Sequence, residues 1–238
     1  MRLRLTILFL MLACVAFAGS KKQSMRKYSL FAYIGGGIVV QNTDFIAAYL
    51  TVNTQTISNF TLSGGTKLVV TTGTEGGVAT NVTFNGQALI SIVAVADSVQ
   101  NASIWYLDNP IASSGDVVVT YAASSSSSGM SALSISGAAT GVLDFAGAQG
   151  TNSGPLTIES GSLVVGSFAT NADTGTMIDP DDPSTDIFSV NINGAAGGNA
   201  ASAYFIEPDP ATRTSFGFTP PPIGTRPVAA AASFTSIQ

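Results

Sequence analysis

Histidine is absent from the 238-residue chain, and Cys14 is its only cysteine. Without histidine the chain has no Ser-His-Asp triad, no histidine-ligated zinc and no histidine acid–base catalysis of its own. Charged residues are scarce, at 10% of the chain against roughly 25% in an average soluble domain. Apolar residues make up 45%, which is ample for a packed core. These absences exclude several classes of enzyme before any motif is considered.

The first eighteen residues have the pattern of a secretory signal peptide. Arg2 and Arg4 precede an apolar run over 5–15, and Ala16-Phe17-Ala18 supplies the small residues that signal peptidase recognises. The run is shorter than the roughly 20 residues that a membrane-spanning helix needs. We therefore predict cleavage after residue 18, a secreted or cell-surface location, and no transmembrane segment in the mature protein.

Cleavage at this point would remove Cys14, so the mature protein would contain no disulfide. Its stability would then depend on its core and on the hydrogen bonds of its sheets. Lipoprotein processing at Cys14 is an alternative, because Met11-Leu12-Ala13 precedes the cysteine.

Charge is distributed unevenly along the chain. Residues 19–28 carry four cations, whereas the sequence from 29 onward has three cations and all fourteen acidic residues, a formal charge of −11. An acidic body argues against a nucleic-acid partner, because binding to phosphates needs clustered Lys and Arg. The basic segment is interpreted as a solvated linker, since stable membrane attachment needs more than a few charges.

The body of the chain predicts strands and no helix. Short runs of Val, Ile, Phe, Thr and Tyr alternate with clusters of Gly, Asn, Ser and Pro. Asn85-Gly86 is the best hairpin signal, since a type I′ turn needs two residues of positive φ. The predicted fold class is all-β, an antiparallel, jelly-roll-like β-sandwich of two packed sheets and about a dozen strands. The other predicted strands include 67–72, 103–107, 116–121, 133–136, 162–168, 187–193, 201–207, 213–218 and 228–234.

The predicted organisation is a signal peptide over 1–18, an N-terminal arm over 19–42 and one sandwich domain over 43–238. Within the arm, the apolar segment 30–40 is either a first strand of the sandwich or a strand offered to another molecule. The segment 122–129 contains five consecutive serines and is predicted to be a flexible connection.

One acidic segment is a candidate calcium site. Asp179, Asp181, Asp182 and Asp186 lie within eight residues, and Ca²⁺ prefers several oxygen ligands. The segment lacks the glycine and glutamate of an EF-hand loop, and a solvated acidic turn is the favoured interpretation.

Two aromatic residues are candidates for glycan contact. Trp105 and Tyr106 are neighbours in a predicted strand, so their rings point to opposite faces of the sheet. One ring is expected in the core, and the other is a candidate for the outer face, where it could stack on a sugar. The core is the favoured interpretation for these aromatics.

Carboxylate-pair hydrolysis is the remaining familiar hydrolytic chemistry, and it needs two acids across a cleft. Glu75, Glu159 and Glu207 are the only glutamates, and they stand singly in the sequence. Lys67, the only lysine of the body, suggests an isopeptide crosslink to an asparagine, as in some pilins. The favoured interpretation is an ordinary surface lysine at a strand start, because lysine is rarely buried.

Four segments of the predicted strands form a recognisable pattern: Lys67-Leu68-Val69-Val70, Val82-Thr83-Phe84-Asn85-Gly86-Gln87-Ala88-Leu89, Ser103-Ile104-Trp105-Tyr106-Leu107-Asp108-Asn109-Pro110 and Gly115-Asp116-Val117-Val118-Val119-Thr120. Through these segments, residues 65–137 resemble a β-sandwich module of uncharacterised secreted proteins from environmental bacteria. The resemblance implies a secreted or cell-surface accessory domain, and it implies no catalytic residues.

The function predicted from the sequence is surface contact by a non-enzymatic, secreted β-sandwich, through adhesion or glycan binding. The first alternative is a self-assembling homo-oligomeric subunit of an extracellular filament or shell, which would use its N-terminal arm for strand addition. The second alternative is a carboxylate-dependent glycoside hydrolase.

Overall fold

The computed structural model describes residues 37–48, 52–125, 127–171, 185–191, 199–207, 215–218 and 226–237. Within these ranges the regular secondary structure consists of strands. The strands are β1 (Val39–Ala48), β2 (Val52–Thr61), β3 (Lys67–Glu75), β4 (Ala79–Phe84), β5 (Gln87–Ala88), β6 (Ile90–Ala96), β7 (Gln100–Asp108), β8 (Ser114–Ser125), β9 (Ser127–Ser136), β10 (Asp144–Gln149), β11 (Leu163–Thr170), β12 (Thr185–Asn191), β13 (Asn199–Ile206) and β14 (Val228–Phe234).

The strands form three antiparallel sheets. The central sheet has the order β1-β9-β3-β7-β6, the front sheet β2-β8-β4-β5, and the back sheet β10-β14-β11-β13-β12. The predicted all-β, antiparallel sandwich is confirmed, whereas the jelly-roll connectivity stays a prediction. The structure differs from the sequence analysis in the number of layers, because the strands form three sheets and not two.

The central sheet is covered on both faces. Leu68, Val70 and Trp105 belong to an apolar cluster with front-sheet residues such as Val119. Val69 and Leu133 and their neighbours on the same face pack instead against the back sheet. Strand β3 is buried over eight of its nine residues, which explains why its sequence does not alternate between apolar and polar residues.

Among the described residues, chain segments outside the named strands cover the outer face of the back sheet. Four phenylalanines pack there with Leu156 and Ile158. The rings of Phe168 and Phe218 are 4.8 Å apart between centroids, and those of Phe205 and Phe216 are 5.7 Å apart. Of the predicted strand 213–218, only residues 215–218 are described. They form part of this cover and do not belong to any of the fourteen strands.

The turn between β4 and β5 follows the sequence prediction. Asn85 has a φ of 46° and Gly86 a φ of 82°, and Phe84 pairs with Gln87 across the turn. Two consecutive residues of positive φ are what a type I′ hairpin turn requires. This local signal therefore identified the hairpin correctly.

The serine-rich segment is not the loop that the sequence suggested. Strand β8 extends to Ser125 and strand β9 begins at Ser127, so the serines lie mainly in strands. Ser128 is fully buried and pairs with Thr74 of β3. Serine is tolerated in such a strand because the neighbouring strand satisfies its backbone groups.

The first strand begins earlier than the predicted domain boundary. Strand β1 starts at Val39, inside the segment assigned to the arm, and it pairs with β9 at the edge of the central sheet. Ile38 and Val40 are buried in the core between the central and back sheets. The end of the apolar segment is thus a first strand of this chain, while 30–36 lie outside the described residues.

Candidate functional site

Trp105 and Tyr106 point to opposite faces of the central sheet. Trp105 is 7% exposed and packs toward the front sheet, where its Nε1 donates a hydrogen bond to Ser103 Oγ at 2.8 Å. Tyr106 is half-buried against the core shared with the back sheet. Neither ring lies on an open face, because the central sheet is covered on both sides. A role of these rings in ligand contact stays a prediction that their burial does not favour.

The calcium prediction falls largely outside the described residues. Asp179, Asp181 and Asp182 lie there, and only Asp186 is described, half-buried in β12. In the described part of the chain, no three metal-ligating side chains of the His, Cys, Asp or Glu type come together. Calcium binding by the 179–186 segment stays a prediction.

Two of the three glutamates belong to one end of the back sheet. The Gly161 amide donates to the Glu207 carbonyl, and the Ser162 amide donates to the Glu159 carbonyl. Glu207 is buried, whereas the exposed Glu159 accepts a hydrogen bond from Thr235 Oγ1 at 3.0 Å. Because Glu159 and Glu207 are far apart in the sequence, the sequence alone does not predict that their backbones are close. Glu75 lies apart from both, at the end of β3.

Lys67 is buried, which overturns the interpretation of it as a surface lysine. Only 1% of the side chain is exposed, and its Nζ lies 2.9 Å from Asp108 Oδ1. Nζ also donates a hydrogen bond to the Gly141 carbonyl, and the Gly141 amide donates to Asp108 Oδ2 at 2.7 Å. Lys67 and Asp108 stand directly opposite each other on β3 and β7.

The surroundings of the Lys67 amine are apolar apart from these partners. Nζ lies 4.9 Å from the centroid of the Phe234 ring and 5.2 Å from that of Tyr106. Burial lowers the pKa of Lys67, and the hydrogen bond and charge of Asp108 oppose this shift. We call Lys67, Asp108 and Gly141 the lysine–aspartate site.

The sequence contained a weak signal for this site. Lys67 immediately precedes the apolar run Leu68-Val69-Val70, and Asp108 follows directly after Leu107 at the end of another predicted strand. Opposite charges at the ends of two strands are compatible with cross-strand pairing. The sequence does not state, however, which strands are neighbours, nor that Gly141 arrives from a distant loop.

A triangle of hydroxyl groups lies between the central and back sheets. Thr71 Oγ1 is 2.8 Å from Ser131 Oγ and 2.9 Å from Ser202 Oγ, and the two serine oxygens are 3.0 Å apart. All three side chains are fully buried. Because each hydroxyl finds a partner, the triangle serves to satisfy polar groups where the two sheets meet.

A second buried polar group lies between the front and central sheets. The Tyr121 hydroxyl donates to Gln55 Oε1 at 2.8 Å, and Gln55 Nε2 donates to the Ser128 carbonyl at 3.1 Å. Burial raises the pKa of the Tyr121 hydroxyl. The folded state therefore holds this proton more tightly than the unfolded state does.

Tyr121→Phe is expected to destabilise the fold at neutral pH by about 1–3 kcal/mol, because it leaves the buried Gln55 oxygen without its donor. The difference from wild type should narrow as the pH rises above about 10, where tyrosine ionises in the unfolded state. A raised folded pKa contributes stability below the unfolded pKa, and this contribution is lost with rising pH. Urea denaturation of wild type and Tyr121→Phe at about pH 8 and about pH 10.5 measures the difference between their free energies of unfolding. If this difference were the same at both pH values, the raised pKa of Tyr121 would be contradicted.

Several described carboxylates bind backbone amides. Asp44 Oδ1 accepts from the Phe45 amide and Asp116 Oδ1 from the Asn59 amide, both at 2.9 Å. Asp144 Oδ2 accepts from the Thr157 amide at 2.8 Å, and this bond lowers the pKa of Asp144. The carboxylate groups of these residues therefore serve to satisfy backbone amides within the fold.

The exterior carries some exposed apolar side chains. They include Ile90 and Phe145, each 55% exposed, and Ile111, which is 90% exposed. Ile90 begins β6 at one edge of the central sheet, and Phe145 lies in β10 at one edge of the back sheet. These two edges adjoin, since the Gln149 side chain donates a hydrogen bond to the Ala96 carbonyl at 3.3 Å.

Within the ranges described, no helix has the length and hydropathy of a membrane span. Comparison of the chain with protein-family models, with curated proteins and with solved structures gave no match.

Proposed function

We propose that the mature chain is an exported, non-enzymatic β-protein that acts through contacts of its outer surface with an extracellular partner. The observation that carries this proposal is the use of the described polar groups inside the fold. Lys67 pairs with Asp108, buried hydroxyls bond one another, and several carboxylates bind backbone amides. What remains for function is the exterior of a chain in which only 10% of the residues are charged.

The contact surface favoured by the geometry is the shared edge of the central and back sheets. Ile90 and Phe145 are exposed there on β6 and β10, and exposed apolar side chains at a sheet edge suit contact with another surface. The buried Trp105 is not suited to this role. Adhesion through this edge therefore fits the structure better than sugar stacking on Trp105.

The experiment measures retention of the labelled protein on a glycan array and on isolated bacterial cell envelopes. We expect saturable binding to at least one of these probes. Phe145→Ser combined with Ile90→Ser should weaken binding at least tenfold, while Ile111→Ser serves as a matched control that leaves it unchanged. Absence of binding to both probes, or turnover of any glycan by the purified protein, would contradict the proposal.

The alternative of strand addition by the arm is less well supported. Ile38 and Val40 are buried against their own chain, so a donated strand would have to come from residues before them. Size-exclusion chromatography of chains with and without 19–36 tests this alternative. A change of oligomeric state on truncation would favour the filament or shell subunit over the surface-contact function.

A further inference from the structure

The lysine–aspartate site brings an amine and a carboxyl group into contact inside the protein. Lys67 and Asp108 are cross-strand partners on β3 and β7, with 2.9 Å between Nζ and Oδ1. The lysine is 1% exposed and the aspartate 25% exposed. A buried ion pair is a weak source of stability, because removing both charges from water is costly. The contact between Lys67 and Asp108 is therefore better explained by a chemical role than by stability alone.

We propose that Lys67 and Asp108 become joined by an intramolecular isopeptide bond between Lys67 Nζ and Asp108 Cγ. This proposal is independent of the surface-contact function. It also differs from the crosslink suggested by the sequence, since the partner is an aspartate and not an asparagine.

The lysine side chain is prepared to act as a nucleophile. An attacking amine must be neutral, and burial of the Lys67 side chain, which is 1% exposed, disfavours the ammonium form. In such surroundings, transfer of one proton from the ammonium to the carboxylate removes both charges at once. The resulting neutral amine and carboxylic acid are the two reactants of amide formation.

Gly141 holds both reactants in place. Its carbonyl accepts a hydrogen bond from Lys67 Nζ, and its amide donates to Asp108 Oδ2 at 2.7 Å. A donor on Oδ2 polarises the carboxyl group and stabilises the negative charge that develops on this oxygen during attack. Because the β3–β7 pairing fixes both backbones, the reactants are already positioned.

The reaction balances without a co-reactant. Nζ attacks Cγ, and a C–N bond forms. Protons from the amine and the carboxylic acid leave with Oδ1 as one water molecule when the Cγ–Oδ1 bond breaks. Oδ2 remains as the oxygen of the new amide, and it still accepts the hydrogen bond from the Gly141 backbone amide. No group is oxidised or reduced.

The bond would crosslink the ends of β3 and β7 in the central sheet. It would enclose the chain between 67 and 108, including β4, β5 and β6. A covalent closure of this kind restricts the unfolded chain as a disulfide does. It would suit a mature protein without cysteine.

Mass spectrometry of the full chain is the first test. We expect the purified wild-type protein to be about 18 Da lighter than its sequence predicts, which corresponds to one water. Lys67→Arg and Asp108→Ala should both have the full calculated mass. Asp108→Asn should lose about 17 Da, because ammonia would leave in place of water.

Trypsin digestion of the denatured chain is the second test, and it does not depend on whether the variants fold. The sequence has no Lys or Arg between Lys27 and Arg213 other than Lys67. An amide on Lys67 would block cleavage there, so one fragment, 28–213, is expected from wild type. Asp108→Ala should release 28–67 and 68–213. A wild-type chain of full calculated mass that is cut after Lys67 would overturn the proposal.

Discussion

Trp105→Ala is expected to lower the free energy of unfolding by about 3–5 kcal/mol, the range for removing a large buried aromatic side chain. Trp105 is 7% exposed and packs in the cluster between the central and front sheets. Removal of the indole would leave a cavity between two sheets whose strands cannot easily move together. Urea denaturation followed by far-UV circular dichroism measures the change.

Trp105→Phe is the control for the Trp105 prediction. Phenylalanine keeps most of the apolar contact but loses the hydrogen bond from Nε1 to Ser103, so a smaller loss of about 1–2 kcal/mol is expected. Because Trp105 is the only tryptophan, its fluorescence in the wild-type protein should also resist quenching by acrylamide. An alanine variant as stable as wild type, together with ready quenching, would place the ring on the surface and favour the ligand-contact prediction.

Gly73→Ala is expected to destabilise the fold by about 2–3 kcal/mol through overpacking. A Cβ atom at Gly73 would lie 2.6 Å from the Phe168 carbonyl oxygen and 2.9 Å from the Ala200 Cβ. Both contacts come from the back sheet, and the nearer one is backbone, which cannot rotate away. The two sheets approach closely here, since Ser167 Oγ donates to the Thr72 carbonyl at 2.8 Å.

Gly64→Ala provides the matched control for Gly73→Ala. Gly64 has a φ of 87°, and a methyl group added to it would meet no atom within 4 Å. This variant therefore reports the cost of positive φ alone, about 1–2 kcal/mol. Thermal and urea denaturation of both variants compare the two costs. If the Gly73→Ala variant were as stable as wild type, the close approach of the central and back sheets would be refuted.

Local features of this fold were readable from the sequence. The Asn85-Gly86 turn was predicted correctly because a type I′ turn depends on the φ values of two adjacent residues. Strands such as β3 and β14 were predicted because their β-branched or small apolar runs are bounded by turn residues. In each case the deciding interaction lies within a few residues along the chain.

Features that depend on a second sheet were not readable. The expectation that one of Trp105 and Tyr106 faces outward assumed a sheet with one solvated face, and the serine-rich 122–129 segment was interpreted by composition alone. The structure places a sheet on each side of β7 and pairs Ser128 within the central sheet. Side-chain alternation indicates extended backbone, but it does not say what covers each face.

The lysine–aspartate site was also not predictable from the sequence, because its three residues come from distant parts of the chain. Lys67 and Asp108 are 41 positions apart, and Gly141 is a further 33 positions along the chain. A lysine is ordinarily solvated, and only the β3–β7 register and the loop carrying Gly141 supply the partners that allow its burial.

By itself, the sequence determined the absence of histidine chemistry, the extended backbone and the antiparallel all-β class, since these follow from composition and from preferences of neighbouring residues. The tertiary structure alone decided that the sheets stack in three layers, that Trp105 lies between two of them, and that Lys67 lies against Asp108. These outcomes depend on contacts between residues far apart in the chain. The free energy of such contacts is fixed only when the strands have paired and the sheets have packed.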